Sequence, residues 1–80
     1  MILSTIELII KLEEITPEGL EVLLHIGVLT TTKAVYLKNE LIYIFHMEYD
    51  WDFKTNEGFS KKEMLEKYPK TRWKVKQVID

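Results

Sequence analysis

A histidine and two carboxylates occupy alternate positions of one segment, where they could move a proton or hold an ion. His46, Glu48 and Asp50 are spaced at i, i+2 and i+4, so a β-strand would present all three side chains on one face. A carboxylate beside a histidine favours the charged imidazolium, which suits general acid–base catalysis. His46 and Glu48 are therefore the candidate catalytic residues.

The same residues have a plainer interpretation, a polar strand face that ends in water. Metal sites normally use three or four protein ligands with supporting hydrogen bonds, and the one other histidine is His25. The chain has no cysteine, so a thiolate site is excluded. Its three glycines are scattered rather than grouped in a phosphate-binding loop. We predict no metal and no cofactor.

The segment that carries these residues alternates from Leu41 to Phe53. The apolar face would consist of Leu41, Tyr43, Phe45, Met47, Tyr49, Trp51 and Phe53, and the other face of Ile42, Ile44, His46, Glu48, Asp50 and Asp52. Alternation of this length predicts a β-strand. We expect the aromatic face to meet the helices, because it is wholly apolar.

The remaining pattern predicts five more elements and one domain over residues 1–80. The expected strands are Thr5–Glu13, whose Leu8-Ile9-Ile10 run equally suits an amphipathic helix, Thr30–Leu37 and Arg72–Ile79. The expected helices are Pro17–Ile26, capped by Thr16 and ended by Gly27, and one begun by the Ser60/Glu63 capping box and stopped by Pro69. Turns are expected at Lys38–Glu40, a hairpin with two or three loop residues, and at Thr55–Gly58. The order βαββαβ predicts an α+β, ferredoxin-like fold, with a four-stranded antiparallel sheet and both helices on one face. The register of the second strand stays open.

Charge is divided unevenly along the 80 residues, although the net charge is only −2. Residues 1–60 hold four lysines against ten acidic residues, whereas residues 61–80 hold seven basic residues against three acidic ones. Such a split is typical either of a basic tail for nucleic acid or of two halves that pair with each other. We favour pairing, with Glu7 and Glu13 opposite Lys74 and Lys76.

The composition predicts a soluble, globular domain. Hydrophobic residues make up 46% of the chain, enough for a core. The apolar runs are too short to span a bilayer, and the first residues lack the features of a signal peptide. We expect a cytoplasmic protein that does not bind membranes.

Nucleic acid is an unlikely partner in this interpretation. Stacking bases on the sheet would require the opposite facing of the long strand, with Tyr43, Phe45, Tyr49 and Trp51 open to solvent. That facing would bury His46 and the acidic residues, and the flanking carboxylates would repel phosphate.

Two surfaces of the long strand suggest protein partners instead. Ile42 and Ile44 would form an apolar patch on the open sheet face, which predicts a homodimer interface. Thirteen residues of strand span on the order of 43 Å, too long for so small a domain, so the strand should bend or project. The projecting residues Glu48, Tyr49, Asp50, Trp51 and Asp52 would then contact a partner.

Parts of the chain resemble known families. Thr16-Pro17-Glu18 through Leu37, together with Arg72-Trp73, resembles L-rhamnose mutarotases, and Ile26 through His46 is similar to small polyketide cyclases of the tetracenomycin type. Both families are dimeric α+β barrels that pair through open sheet faces, which is the architecture the resemblance implies. The mutarotase histidine has no counterpart here, Lys74 replaces a tryptophan, and only Trp73 matches a site position, so the reaction is not carried over.

These observations favour a non-catalytic module over an enzyme. We expect a small acidic protein-interaction module, homodimeric, which acts by binding another macromolecule; a phage-type inhibitor of a basic surface is one form of this hypothesis. The alternative is a small-molecule-binding or isomerase/cyclase-like dimeric α+β barrel, with His46 and Glu48 lining its pocket.

Overall fold

The computed structural model describes residues 1–46 and 57–79. Within these ranges the chain forms β1 (Ile2–Leu3), α1 (Thr5–Ile15), β2 (Gly19–Ile26), β3 (Leu29–Lys38), β4 (Leu41–His46), α2 (Lys61–Lys67) and β5 (Arg72–Ile79). The five strands form one antiparallel sheet in the order β1-β5-β2-β3-β4. The predicted α+β class is confirmed. The sheet has five strands instead of the expected four, and its order is not the predicted ferredoxin-like one.

The segment predicted as a first strand, Thr5–Glu13, is the helix α1. Ser4 caps it: the Ser4 hydroxyl accepts the Glu7 backbone N–H, and the Glu7 carboxylate accepts the Ser4 backbone N–H. This capping box is the sequence signal for a helix start. The buried side chains Thr5, Leu8, Ile9 and Leu12 follow the i, i+3, i+4, i+7 spacing of a helix. The alternating isoleucines that suggested a strand lie partly on its exposed side.

The segment predicted as a first helix, Pro17–Ile26, is instead the central strand β2. It pairs with β5 on one side and β3 on the other. Both faces of β2 are largely covered from Gly19 to Leu24. A strand buried on both faces has a nearly continuous apolar sequence, and for this reason Leu23 and Leu24 resembled a helical stripe. The true period is two, because Leu20, Val22 and Leu24 all point into the core.

The other elements agree with the sequence where they are described. β3 and β5 lie where strands were predicted, and the Ser60/Glu63 capping box starts α2. The long strand is described only as far as His46, so the prediction for its residues 47–53 lies outside the described residues. The turn predicted at residues 55–58 is described only from residue 57.

Both helices cover one face of the sheet and enclose the core. The fully buried side chains from the sheet include Leu20, Val22, Val35, Ile42 and Trp73, and the helices supply Leu8, Ile9, Leu12 and Met64. The helices are antiparallel: Glu13, near the end of α1, forms an ion pair with Lys61 at the start of α2, and the Thr5 hydroxyl donates to the Tyr68 carbonyl.

The facing predicted for β4 is wrong. Ile42 has no exposed surface and lies in the core beneath the helices, whereas Phe45 lies on the opposite side of the sheet. The pairing register between β3 and β4 explains why Ile42 faces the core, because directly paired residues on neighbouring strands share a face of the sheet. Val35 pairs with Ile44, and Ala34 pairs with Phe45. Since Val35 points into the core, its partner Ile44 lies on the same face, and so does Ile42, two positions before Ile44.

The β3–β4 hairpin closes with two residues, Asn39 and Glu40, both at positive φ (52° and 65°). This is the pattern of a type I′ turn, whose second position favours glycine. We expect Glu40→Gly to stabilise the protein by up to about 1 kcal/mol, because it removes side-chain strain in the left-handed region. Urea unfolding followed by circular dichroism measures the gain. Glu57→Gly, at an exposed position outside helices and strands, is the matched control and should not raise stability.

In the described part of the chain, neither helix is long and apolar enough to cross a membrane.

Candidate functional site

The predicted catalytic and partner-binding residues lie at or beyond the end of the described part of β4. The structure places His46 at the last position of β4, where its backbone pairs with Lys33. Glu48, Tyr49, Asp50, Trp51 and Asp52 lie outside the described residues. The proposed pairing of His46 with Glu48 and the acidic–aromatic contact surface therefore stay predictions from the sequence.

The predicted dimer patch does not lie on the surface. Ile42 is 0% exposed, and its backbone N–H and C=O both bond to Phe59. Ile44 is partly buried and packs against the same core. A side chain with no exposed area cannot touch a second copy, so the open-face position predicted for Ile42 is wrong.

The face opposite the helices carries an aromatic cluster instead. The rings of Tyr43 and Phe45 are stacked with centroids 6.2 Å apart, and Tyr36 meets Phe45 edge-on at 5.9 Å. The Tyr36 ring packs directly over Gly19 and leaves no space for a side chain there, because a Cβ atom on Gly19 would lie 2.4 Å from the ring. Phe45 is only 2% exposed. Burial also raises the pKa of the Tyr36 phenol above its usual value, so that phenol stays neutral at neutral pH.

One carboxylate on that face is buried and fully engaged. Glu21 accepts hydrogen bonds from Lys76 Nζ at 2.8 Å and from Gln77 Nε2 at 2.7 Å, beside an irregularity in the β2–β5 register. The two halves of the chain do pair, through Glu21–Lys76 and Glu13–Lys61. The partners differ from those predicted: Glu13 does not meet Lys74 or Lys76, because α1 is a helix and not their neighbouring strand.

Three exposed apolar side chains are neighbours at the β2–β3 turn. We call Ile26–Leu29 the hairpin tip. Ile26 is 50% exposed, Val28 99% and Leu29 69%. Ile26 pairs with Leu29, and Gly27 adopts φ 59°. A positive φ at the first of two turn residues is typical of a type II′ turn, which favours glycine there.

The hairpin tip extends beyond the neighbouring strand. The last β2–β5 pair joins His25 to Arg72, so Ile26 and the turn lie past the start of β5. On β2 and β3, Thr30 Oγ1 lies 3.2 Å from His25 Nδ1 and links the two strands just below the turn. This hydroxyl–imidazole contact is exposed, and no carboxylate orients the ring among the described residues, so it supports the turn rather than catalysis.

Sequence reasoning missed the hairpin tip because Gly27 was interpreted as the end of a helix. A detectable signal was present: one glycine followed by one residue, between two apolar alternating segments, is typical of a two-residue hairpin. Isoleucine, valine and leucine at such a turn are unusual, because turns normally carry polar residues.

Three cations lie at the same end of the sheet. Lys70, Arg72 and Lys74 are exposed, and none of them forms an ion pair with any described residue. Lys70 and Arg72 line an open cavity of about 440 Å³, together with Glu7. Glu7 is engaged by the Ser4 cap, whose hydrogen bonds lower the pKa of its carboxyl group. We call Lys70, Arg72 and Lys74 the cation strip.

Within residues 1–46 and 57–79, no three histidine, aspartate or glutamate side chains are grouped so that they could hold a metal ion. The apolar hairpin tip and the cation strip lie next to each other on the described surface. No protein-family model, curated protein or solved structure matches the chain. The resemblance to mutarotases and cyclases stays a prediction from the sequence.

Proposed function

We propose that this protein is an interaction module that binds another protein through the hairpin tip. The observation that carries the proposal is the exposure of three neighbouring aliphatic side chains, with Val28 almost wholly in water. Burying one such side chain contributes about 1.5–3 kcal/mol. A partner that covered the tip would therefore gain a substantial part of a binding free energy.

The shape of the hairpin tip supports insertion into a pocket. Two strands and a two-residue turn hold the tip, so little conformational entropy is lost when it docks. A flat symmetric dimer needs roughly 800 Å² from each subunit, more than four residues supply. The occupant that fits is thus a different protein with a concave apolar site, and a second copy pairing tip to tip does not fit.

Site-specific cross-linking tests the proposal with the tip intact. Benzoylphenylalanine replaces Thr31, an exposed residue of β3 two positions from Leu29, and the protein is irradiated in extract from its source cells. We expect a discrete adduct that excess unmodified protein removes by competition. Excess V28S/L29S protein should compete at least tenfold less well, because each buried aliphatic side chain contributes about 1.5–3 kcal/mol and about 1.4 kcal/mol corresponds to a factor of ten.

Two controls make the result decisive. The same probe at Leu65, an exposed apolar position on α2, should give no adduct of that mass. V28S/L29S should keep its stability within about 1 kcal/mol, as exposed substitutions do, which separates lost binding from lost folding. Equal competition by the wild type and by V28S/L29S would overturn the proposal.

A further inference from the structure

We infer that the partner surface around its apolar pocket is acidic, and that the cation strip binds it. This inference rests on the proposed function, because it names the chemistry of the partner at that same site. The geometry that supports it is the position of the cation strip on β5 and the preceding turn, directly beside the hairpin tip. Arg72 pairs with His25, one position from Ile26.

Two members of the cation strip lie on the same face of the sheet. Arg72 and Lys74 are two apart on β5, so their side chains leave the same face of the sheet. Lys70 precedes them in the turn and shares the open cavity with Arg72. Arg72 and Lys74 pair with His25 and Leu23, so both cations flank the base of the tip on the sheet face opposite to Ile26.

These cations differ from three other cations of residues 61–80. Lys61 and Lys76 neutralise Glu13 and Glu21, and the Lys67 ammonium lies 4.4 Å from the centre of the Phe59 ring. The members of the cation strip have no such partners among the described residues. Unneutralised charge next to an apolar contact raises the rate of association with an oppositely charged partner and fixes its orientation.

An acidic protein fits this surface better than nucleic acid or a lipid surface. Single-stranded nucleic acid is bound by aromatic side chains on which bases stack, and the tip presents only aliphatic side chains and glycine. A lipid surface is flat, whereas the hairpin tip projects past the start of β5 and suits a concave site. A protein pocket with a carboxylate rim satisfies both the apolar tip and the cations.

Charge reversal with a matched control tests the inference. R72E/K74E and K11E/K62E change the net charge equally, and the second pair lies on the helices, away from the tip. Each protein is labelled with ¹⁵N and titrated with poly-L-glutamate at low salt. For the wild type and K11E/K62E we expect amide shifts at residues 70–74. R72E/K74E should bind roughly tenfold more weakly or not at all.

The cross-linking assay then separates this inference from the proposed function. If the Thr31 adduct persists at equal yield in R72E/K74E, the module still binds a partner but the acidic rim is wrong. If no competed adduct forms in the wild type, the proposed function itself fails. A 20-nucleotide single-stranded DNA or phosphatidylserine vesicles that shift residues 70–74 at lower concentration than poly-L-glutamate would also overturn the acidic-protein assignment.

Discussion

Replacing Trp73 by alanine is expected to remove a large part of the protein's free energy of unfolding, about 4 kcal/mol. Trp73 is fully buried. Truncating a core tryptophan to alanine typically lowers the free energy of unfolding by about 3–5 kcal/mol. A domain of 80 residues has a total stability of roughly 4–12 kcal/mol. The loss is therefore comparable with the whole stability at the lower end of that range.

Trp73 has this effect because it joins three elements at one point. Its Nε1 donates to the Thr5 hydroxyl at 3.0 Å, and that hydroxyl donates to the Tyr68 carbonyl. The Tyr68 and Trp73 rings also meet edge-on, with centroids 5.2 Å apart. The start of α1, the end of α2 and β5 thus depend on one side chain and one hydroxyl.

Urea unfolding of a small variant series measures these contributions separately. T5V keeps the shape of Thr5 but leaves the indole N–H without its acceptor, and it should destabilise the protein by about 1–3 kcal/mol. W73F retains a ring and should lose less than W73A. An alanine variant with an unchanged unfolding midpoint would contradict the position of Trp73 in the core.

The second large effect is expected at Ile42. I42D should prevent folding, because it places a carboxylate without a partner in an apolar core at a cost of several kcal/mol. The matched control is I26D, an isoleucine that is also on a strand but half exposed, which should change stability by less than about 1 kcal/mol. Circular dichroism and the dispersion of the amide proton spectrum distinguish folded from unfolded protein.

The pair I42D and I26D also tests the facing of β4. If Ile42 lay on an open sheet face, I42D would fold and would change only the oligomeric state, as measured by light scattering. A folded, monomeric I42D derived from a dimeric wild type would therefore contradict the buried position of Ile42. An unfolded I42D with a folded I26D agrees with the register Val35–Ile44.

Local signals in the sequence determined several elements correctly. The Ser60/Glu63 capping box, the alternation over Arg72–Ile79 and the short hairpin at Asn39–Glu40 each involve residues a few positions apart. Capping and turn geometry are satisfied within such a window, so no distant contact is needed to recognise them. The Ser4/Glu7 box is of the same kind and was overlooked in favour of alternating isoleucines.

Tertiary contacts decided what two overlapping periodicities left open. The segment before Glu14 fits both a period of two and a helical spacing, and the segment before Gly27 does likewise. Because both faces of β2 are largely covered, its sequence is nearly continuously apolar, and such a sequence does not distinguish a strand from a buried helix.

Local sequence patterns also could not predict which face of the sheet packs against the helices. Alternation over β4 determines which residues share a face, because successive strand side chains point in opposite directions. It does not determine which face meets the helices. That choice followed from the burial of Val35 and Ile42 in one core cluster with Leu8, Ile9, Leu12 and Met64 of the helices, which are distant from them in the chain. The sequence by itself thus determined local elements and the composition of each strand face, whereas long-range pairing decided which residues form the core and left Ile26, Val28 and Leu29 in water.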